Sequence, residues 1–196
     1  MKYSGLEKES KVLLEEKEYL RLIDIAEKSP LFSDKKSILQ INYYYDTEDF
    51  WGYTSGNTFR VRQKENKLEL QRKVRQFAEE SGNIHICREF SEEIFELPRS
   101  IAVEGDEENF ELKLIGSLST FRNDYIFEDI VVSLDKNIYL GIVDFELEIE
   151  YWDENRLVNL PEEFRKFLDY DVNPIGKYPR FKEKMLSLKN VISKNI

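Results

Sequence analysis

Apolar and polar residues alternate along "VDFELEIEYW", Val143 to Trp152, with Val143, Phe145, Leu147 and Ile149 on one period and Asp144, Glu146, Glu148 and Glu150 on the other. A repeat of two is that of a β-strand, so one face of this strand is apolar and the other carries four carboxylates. The same rhythm recurs along the chain. Gly5 to Leu14 reads as a strand with Glu7, Glu9 and Lys11 on one face. Ile38 to Thr47 is rich in aromatic and β-branched residues. Thr58 to Lys64 alternates Phe59 and Val61 with Arg60 and Arg62, and Lys67 to Val74 alternates Leu68 and Leu70 with Glu69, Gln71 and Lys73. Further strands are expected at Ile84 to Ser91, Thr120 to Phe127, Ile130 to Asp135 and Tyr139 to Trp152.

Helical spacing occurs in fewer places. Glu15 to Lys28 sets Tyr19, Leu20, Leu22, Ile23 and Ile25 along one stripe, and Ser29-Pro30 stops it. Glu92 to Leu97 and Asn109 to Ile115 read as short helices, the second closed by Gly116 as a C-cap. Leu160-Pro161 opens a helix to about Tyr170 with Pro161 at its first position, and a last helix starts near Arg180. Gly52 to Asn57 reads as a turn, and Phe77 to Asn83 as a polar loop. Strands of this number, mostly joined by hairpin-length loops, predict an antiparallel barrel or sandwich with helices packed outside. No linker rich in Pro, Gly or Ser divides residues 1–196, so one domain is expected.

Composition narrows the partners. A hydrophobic content of 41% over 196 residues supports a substantial core, while the longest apolar runs are too short for a transmembrane helix. A net charge of −10 argues against duplex nucleic acid, which requires an exposed basic footprint. It does not argue against a small polyanion in a basic cavity, because a site is made by local charge. "MKYSGLEKESK" holds no apolar signal core, and the single cysteine, Cys87, cannot form an intramolecular disulfide. Both fit a cytoplasmic protein without a membrane partner. One cysteine and one histidine, His85, also argue against structural zinc.

An ordinary half-buried sheet, apolar side inward, accounts for any single strand. Taken together, the strands point the other way. If the sheet closed around its apolar faces, the amphipathic helices outside would have nothing apolar to cover. The apolar faces are therefore expected outward beneath the helices, with the charged faces lining a lumen. Such burial is tolerated only where opposite charges pair or bind ions and ligand. Basic residues on one side and carboxylates on another suit a phosphate chain together with divalent metal.

The spacing Glu7-x-Glu9-x-Lys11 in "LEKESK" resembles the signature of the CYTH superfamily, the triphosphate tunnel metalloenzymes. The later motifs follow in the same order: "QINYYYDTEDF", "TFRVRQK", "GSLSTFRNDY", "VSLDKNIYLGIVDFELEIE" and "KYPRF". The resemblance covers Glu7 to about Phe181 and is closest to the small bacterial branch. It implies an α+β fold built on an eight-stranded antiparallel β-barrel, a tunnel with a charged lumen. By motif it implies metal binding by Glu7, Glu9, Glu146 and Glu148, to which the sequence adds Asp135, and phosphate contact by Lys11. It implies that Arg60 and Arg62 grip phosphates together with Arg122, and that Lys177 and Arg180 close the tunnel mouth.

Two places depart from the pattern. Where the fourth strand commonly carries a lysine, Gln71 holds the simplest equivalent position, so Lys73 or Arg72 supplies the cation; Lys73 is the residue assigned. On the fifth strand Arg88 and Glu89 are adjacent, and a regular strand cannot turn both inward. The tyrosines Tyr43 to Tyr45 read as strand packing. The activity implied is hydrolysis of a linear triphosphate, foremost inorganic tripolyphosphate, with Mg²⁺ or Mn²⁺. Adenylate cyclase, nucleoside triphosphatase and thiamine triphosphatase are the alternatives within the family, and a non-catalytic polyphosphate- or nucleotide-binding module is the alternative outside it.

Overall fold

The computed structural model describes residues 1–75, 84–104, 109–168 and 175–194, and within these the side chains of all but residues 4–7, 84–85 and 191–194. The elements run β1 (Lys2–Leu14), α1 (Glu16–Lys28), β2 (Asp34–Asp46), α2 (Trp51–Thr54), β3 (Asn57–Lys64), β4 (Lys67–Arg75) and β5 (Ile84–Ile94). They continue with β6 (Ser100–Glu104), β7 (Asn109–Phe127), β8 (Ile130–Tyr139), β9 (Ile142–Glu150), a 3₁₀ turn (Glu154–Asn159), α3 (Glu162–Arg165) and α4 (Lys177–Lys194).

Hydrogen bonding links the strands in the order β2-β3-β4-β5-β1-β9-β8-β7, and β7 returns to β2, so eight antiparallel strands close a barrel. β6 pairs only with the first part of β7, outside the ring. Closure removes the unpaired edges that an open sheet would expose. Tight turns fix the register. Tyr139 pairs with Ile142 across Leu140-Gly141, whose φ values of 44° and 78° are the left-handed pair of a hairpin turn.

The apolar strand faces do point outward. Val132 and Leu134 of β8 and Phe145, Leu147 and Ile149 of β9 form one core with Tyr19, Leu22 and Ala26 of α1 and Phe164 of α3. Burying Leu22 or Phe164 fully is worth about 1.5–3 kcal/mol each, which is what holds the helices to the barrel. A second cluster joins Tyr44, Leu118 and Tyr139 to Tyr178 and Phe181 of α4, so that helix crosses the end of the barrel where β2 finishes and β3 begins.

Several local expectations yield to tertiary pairing. Glu92 to Leu97 is not a helix: β5 continues to Ile94, with Glu92 opposite Leu70 and Ile94 opposite Leu68. Asn109 to Ile115 is the start of β7, held between β6 and the end of β2, and Ser100–Glu104 adds a strand that the pattern did not announce. Phe110 and Leu112 alternate onto the apolar cluster of Tyr45, Phe59 and Val61 there, a period of two inside a segment short enough to mimic a helical turn. Gly116 accordingly caps no helix. It lies in β7 with φ 150°, and a Cβ there would stand 2.6 Å from the Phe181 ring of α4. The expected turn at Gly52 to Asn57 is half α2, with a turn at Ser55-Gly56 before Asn57 opens β3; β8 rather than β9 includes Tyr139, and α4 starts at Lys177. Pro161 precedes the single helical turn of α3 rather than opening a helix to Tyr170, and residues 169–174 lie outside those described. So does the loop expected at Phe77 to Asn83.

Candidate functional site

The charged strand faces line the interior. In the ring of eight, β3 lies four places from β9, and β4 four places from β8, so these pairs face each other across the lumen. β3 and β4 send in Arg60, Arg62, Lys73 and Arg75, while β8 and β9 send in Asp135, Asp144, Glu146, Glu148 and Glu150. A cavity of about 320 Å³ opens between the walls. Arg60, Arg62, Lys73 and Arg75 line its basic side, and Lys11, Arg122 and Lys177 reach it from the acidic side. Against these seven cations stand three lining carboxylates, Glu9, Glu148 and Glu150. An acidic chain has concentrated positive charge in this interior cavity, a local reversal that suits an anion.

The acidic wall is closely paired. Arg122 binds Asp135 through two bonds, Nε to Oδ1 at 2.8 Å and Nη2 to Oδ2 at 2.6 Å, and also contacts Glu148. Lys177, in the first turn of α4, places its ammonium 2.9 Å from Asp135, 2.9 Å from Glu146 and 2.7 Å from Glu148. Arg180, one turn on, reaches Glu146 at 2.8 Å and Asp144 at 3.1 Å. Lys11 bridges Glu9 at 2.7 Å and Glu148 at 3.1 Å. Burial alone would lower the Lys177 pKa, but Asp135, Glu146 and Glu148 outweigh it and hold the ammonium well above its ordinary value. Burial likewise pushes Glu148 upward, and Lys11, Lys177 and Arg122 overcome it, leaving this carboxyl well below the usual range.

The basic wall is built differently. Arg60 gives its Nε to Gln71 Oε1 at 2.7 Å, and Arg62 gives its Nε to Asn42 Oδ1 at 3.2 Å, so neutral amides orient both guanidinium groups. Glu89 faces inward, 3.5 Å from Arg60 and 4.0 Å from Lys73, while Arg88 is exposed, which settles the fifth strand without a bulge between them. On the fourth strand Gln71 is buried as the partner of Arg60, Lys73 lines the cavity, and Arg72 turns outward over the Phe59 ring.

Glu9 pairs directly with Glu150 across β1 and β9. Glu7 stands two residues before Glu9 in β1, opposite Cys87 of β5, and its side chain lies outside the described set. Asp135 and Glu146 are fully buried within the ion-pair network and are not part of the cavity lining. Two residues went unselected in the sequence. Arg75 shares the period of Gln71 and Lys73, and ending that strand at Val74 hid it. Tyr44 lines the cavity as well as packing on α4, so the run of tyrosines is more than strand packing.

The model of the CYTH domain matches residues 5–181. The chain belongs to the CYTH domain family. A Bacillus halodurans protein provisionally named an adenylate cyclase is 25% identical with a TM-score of 0.65, over 88% of this chain and 95% of that one. A Hippeastrum protein provisionally named an adenylyl cyclase, and described as having a dominant triphosphatase activity, is 22% identical with a TM-score of 0.68, over 90% and 95%. A Pyrococcus horikoshii protein shares the fold at 17% identity, with a TM-score of 0.59 over 91% and 99%. No curated protein matches the chain by sequence. The CYTH barrel here thus carries the tunnel of its family, and no helix among the described residues is long and apolar enough to cross a membrane.

Proposed function

We propose that this CYTH protein is a metal-dependent phosphohydrolase of linear triphosphates, with inorganic tripolyphosphate as its preferred substrate, acting as one tunnel domain in the cytoplasm. The observation that carries this reading is the excess of cations around a cavity of about 320 Å³ inside a chain of net charge −10. That volume sits at the lower end of the roughly 300–1,000 Å³ typical of ligand clefts and favours a compact anion.

The carboxylates fit a hard divalent cation in their chemistry. Glu9, Glu148 and Glu150 are oxygen donors on one side of the cavity, and Glu7 precedes Glu9 by two residues in β1. Among the described residues no three carboxylates already surround one point, so ligation requires them to draw together. Glu146 becomes available only if Lys177 and Arg180 withdraw, and Asp135 only if Arg122 and Lys177 do. Bound Mg²⁺ or Mn²⁺ would neutralise phosphate oxygens and lower the pKa of a water. The chain's own contribution is positioning and charge. Arg60 and Arg62, held by Gln71 and Asn42, present planar forks to phosphoryl oxygens, and Lys73 and Arg122 extend that cationic surface. Lys11, shared between Glu9 and Glu148, sets the spacing between acidic wall and anion.

A nucleotide reading draws support from the names of the Bacillus and Hippeastrum proteins. One experiment separates the readings: incubate the protein with tripolyphosphate, ATP and thiamine triphosphate, with Mg²⁺ or Mn²⁺, and resolve the products. Orthophosphate released fastest from tripolyphosphate is expected. Pyrophosphate with cyclic nucleotide makes the protein a cyclase, and tight binding without product makes it a sensor.

A further inference from the structure

The inner face of β2 carries no charge from Gln40 to Tyr44. Its three successive inward residues, Gln40, Asn42 and Tyr44, are uncharged, line the cavity and are at most 1% exposed. Each carries a buried polar atom without a hydrogen-bond partner: Gln40 Oε1, Asn42 Nδ2 and Tyr44 OH. One orphaned atom is a local accident, but three in a row on one strand are not. Leaving a buried polar group unpaired costs about 1–3 kcal/mol, so a wall of them marks a surface completed by something that binds there.

The chemistry of that occupant can be read from the geometry. Asn42 Oδ1 is committed to Arg62 Nε at 3.2 Å, which fixes the amide and leaves Nδ2 as a donor. The Tyr44 ring is clamped 4.8 Å from the Tyr178 ring and 5.3 Å from that of Phe181, so its hydroxyl is held in place with no protein acceptor. Burial raises the Tyr44 pKa, so the hydroxyl keeps its proton and donates. Two fixed neutral donors adjoining Arg60 and Arg62 call for an acceptor-only group with several oxygens.

We propose that Asn42 and Tyr44 form a neutral phosphoryl-oxygen subsite, which positions the anionic chain against the Arg60–Arg62 wall. This rests on the cavity being a triphosphate tunnel. Charge on β3 and β4 supplies attraction at any orientation, whereas two rigid donors act only when an oxygen lies in their direction. The subsite therefore selects the register of the chain in the cavity.

Isothermal titration with tripolyphosphate in chelator, where no turnover confuses the heat, tests the subsite beside thermal melts of the free protein. Tyr44→Phe keeps the packed ring and deletes only the orphaned hydroxyl. It is expected to raise the melting temperature of the free protein while weakening tripolyphosphate about tenfold. Asn42→Asp keeps the acceptor for Arg62 but replaces the donor with a negative charge, and is expected to weaken binding roughly 100-fold. Arg60→Ala serves as the control for the tunnel itself. If Arg60→Ala binds as the parent does, the tunnel reading fails. If Arg60→Ala loses binding while Tyr44→Phe and Asn42→Asp retain it, the neutral subsite alone is overturned. Should Tyr44→Phe not fold, Asn42→Asp decides the matter by itself.

Discussion

The two walls of the tunnel carry opposite charge, and they are also finished to different degrees. On β8 and β9 the carboxylates of Asp135, Glu146 and Glu148 are met by Arg122, Lys177 and Arg180, several of them at 2.6 to 2.9 Å. On β3 the guanidinium groups of Arg60 and Arg62 are aimed by neutral amides, and the Arg60 contact to Glu89 is a looser 3.5 Å. A buried charge must be compensated, so the wall dense in ion pairs carries stability, while under the proposed function the cations that line the cavity serve a ligand. The acidic wall anchors α4 across the end of the barrel, and the basic wall lines the cavity. Substitutions on the two walls should therefore separate stability from activity.

The largest effect is expected at Lys177. Lys177→Met preserves much of the stem but strips the ammonium from three buried carboxylates, and removing one partner of a buried pair costs about 3–5 kcal/mol. A fall in melting temperature on the order of 10 °C follows for a chain of this size. Circular dichroism melts check it. An unchanged melting point would mean that the acidic wall does not depend on α4, and the comparison between walls would collapse.

Arg60→Ala and Arg62→Ala come next, and here the loss should fall on turnover. Each should reduce kcat/KM for tripolyphosphate about 100-fold, the scale for removing one charge-stabilising donor. Lysine should restore part of this, since it returns charge without the planar fork. For Arg60→Ala the melting temperature should shift less than in Lys177→Met, because Arg60 stands 3.5 Å from Glu89 whereas Lys177 meets three carboxylates within 2.9 Å. Steady-state kinetics and melts on the same preparations test both halves.

Much of this was legible in the chain because a barrel strand writes both of its faces into sequence. Arg60 and Arg62 between Phe59 and Val61, or Glu146 and Glu148 between Phe145, Leu147 and Ile149, announce two surfaces, and the amphipathic α1 indicates which surface lies outside. What the chain could not display is partnership across it. The four carboxylates of Val143 to Trp152 share one face with no countercharge in the same stretch, so by sequence alone they are expected to repel one another. Lys177 and Arg180 arrive from a helix some 30 residues downstream and reverse that expectation. The segments at Glu92 to Leu97 and Asn109 to Ile115 failed for the same reason, since strand pairing at long range overrode a short local pattern. The orphaned donors of β2 carry no sequence signal at all, because Asn and Tyr in a strand are ordinary until their partners are known to be missing.

The smallest effect, and the most direct probe of the acidic wall, is its response to acid. The Glu148 carboxyl is pushed upward by burial but pulled further down by Lys11, Lys177 and Arg122, and Asp135 is held down by Arg122 and Lys177 against the same burial. A folded-state pKa below the unfolded one contributes stability that is complete above the unfolded value and is lost as pH falls through the folded one. For Glu148 the loss should therefore begin below its ordinary value of 4.5 and continue to lower pH, with no contribution to any change nearer neutrality. Glu148→Gln lacks this titration. The variant should be less stable than the parent by about 1–2 kcal/mol at pH 7, since Lys11, Arg122 and Lys177 each keep another carboxylate. That gap should close as acid protonates Glu148 in the parent. Urea unfolding of both proteins across the acid range measures the gap directly. A gap of constant size down to the lowest pH at which either protein folds would show that Glu148 is not held ionised by its three cations, and the acidic wall would then be no better satisfied than the basic one.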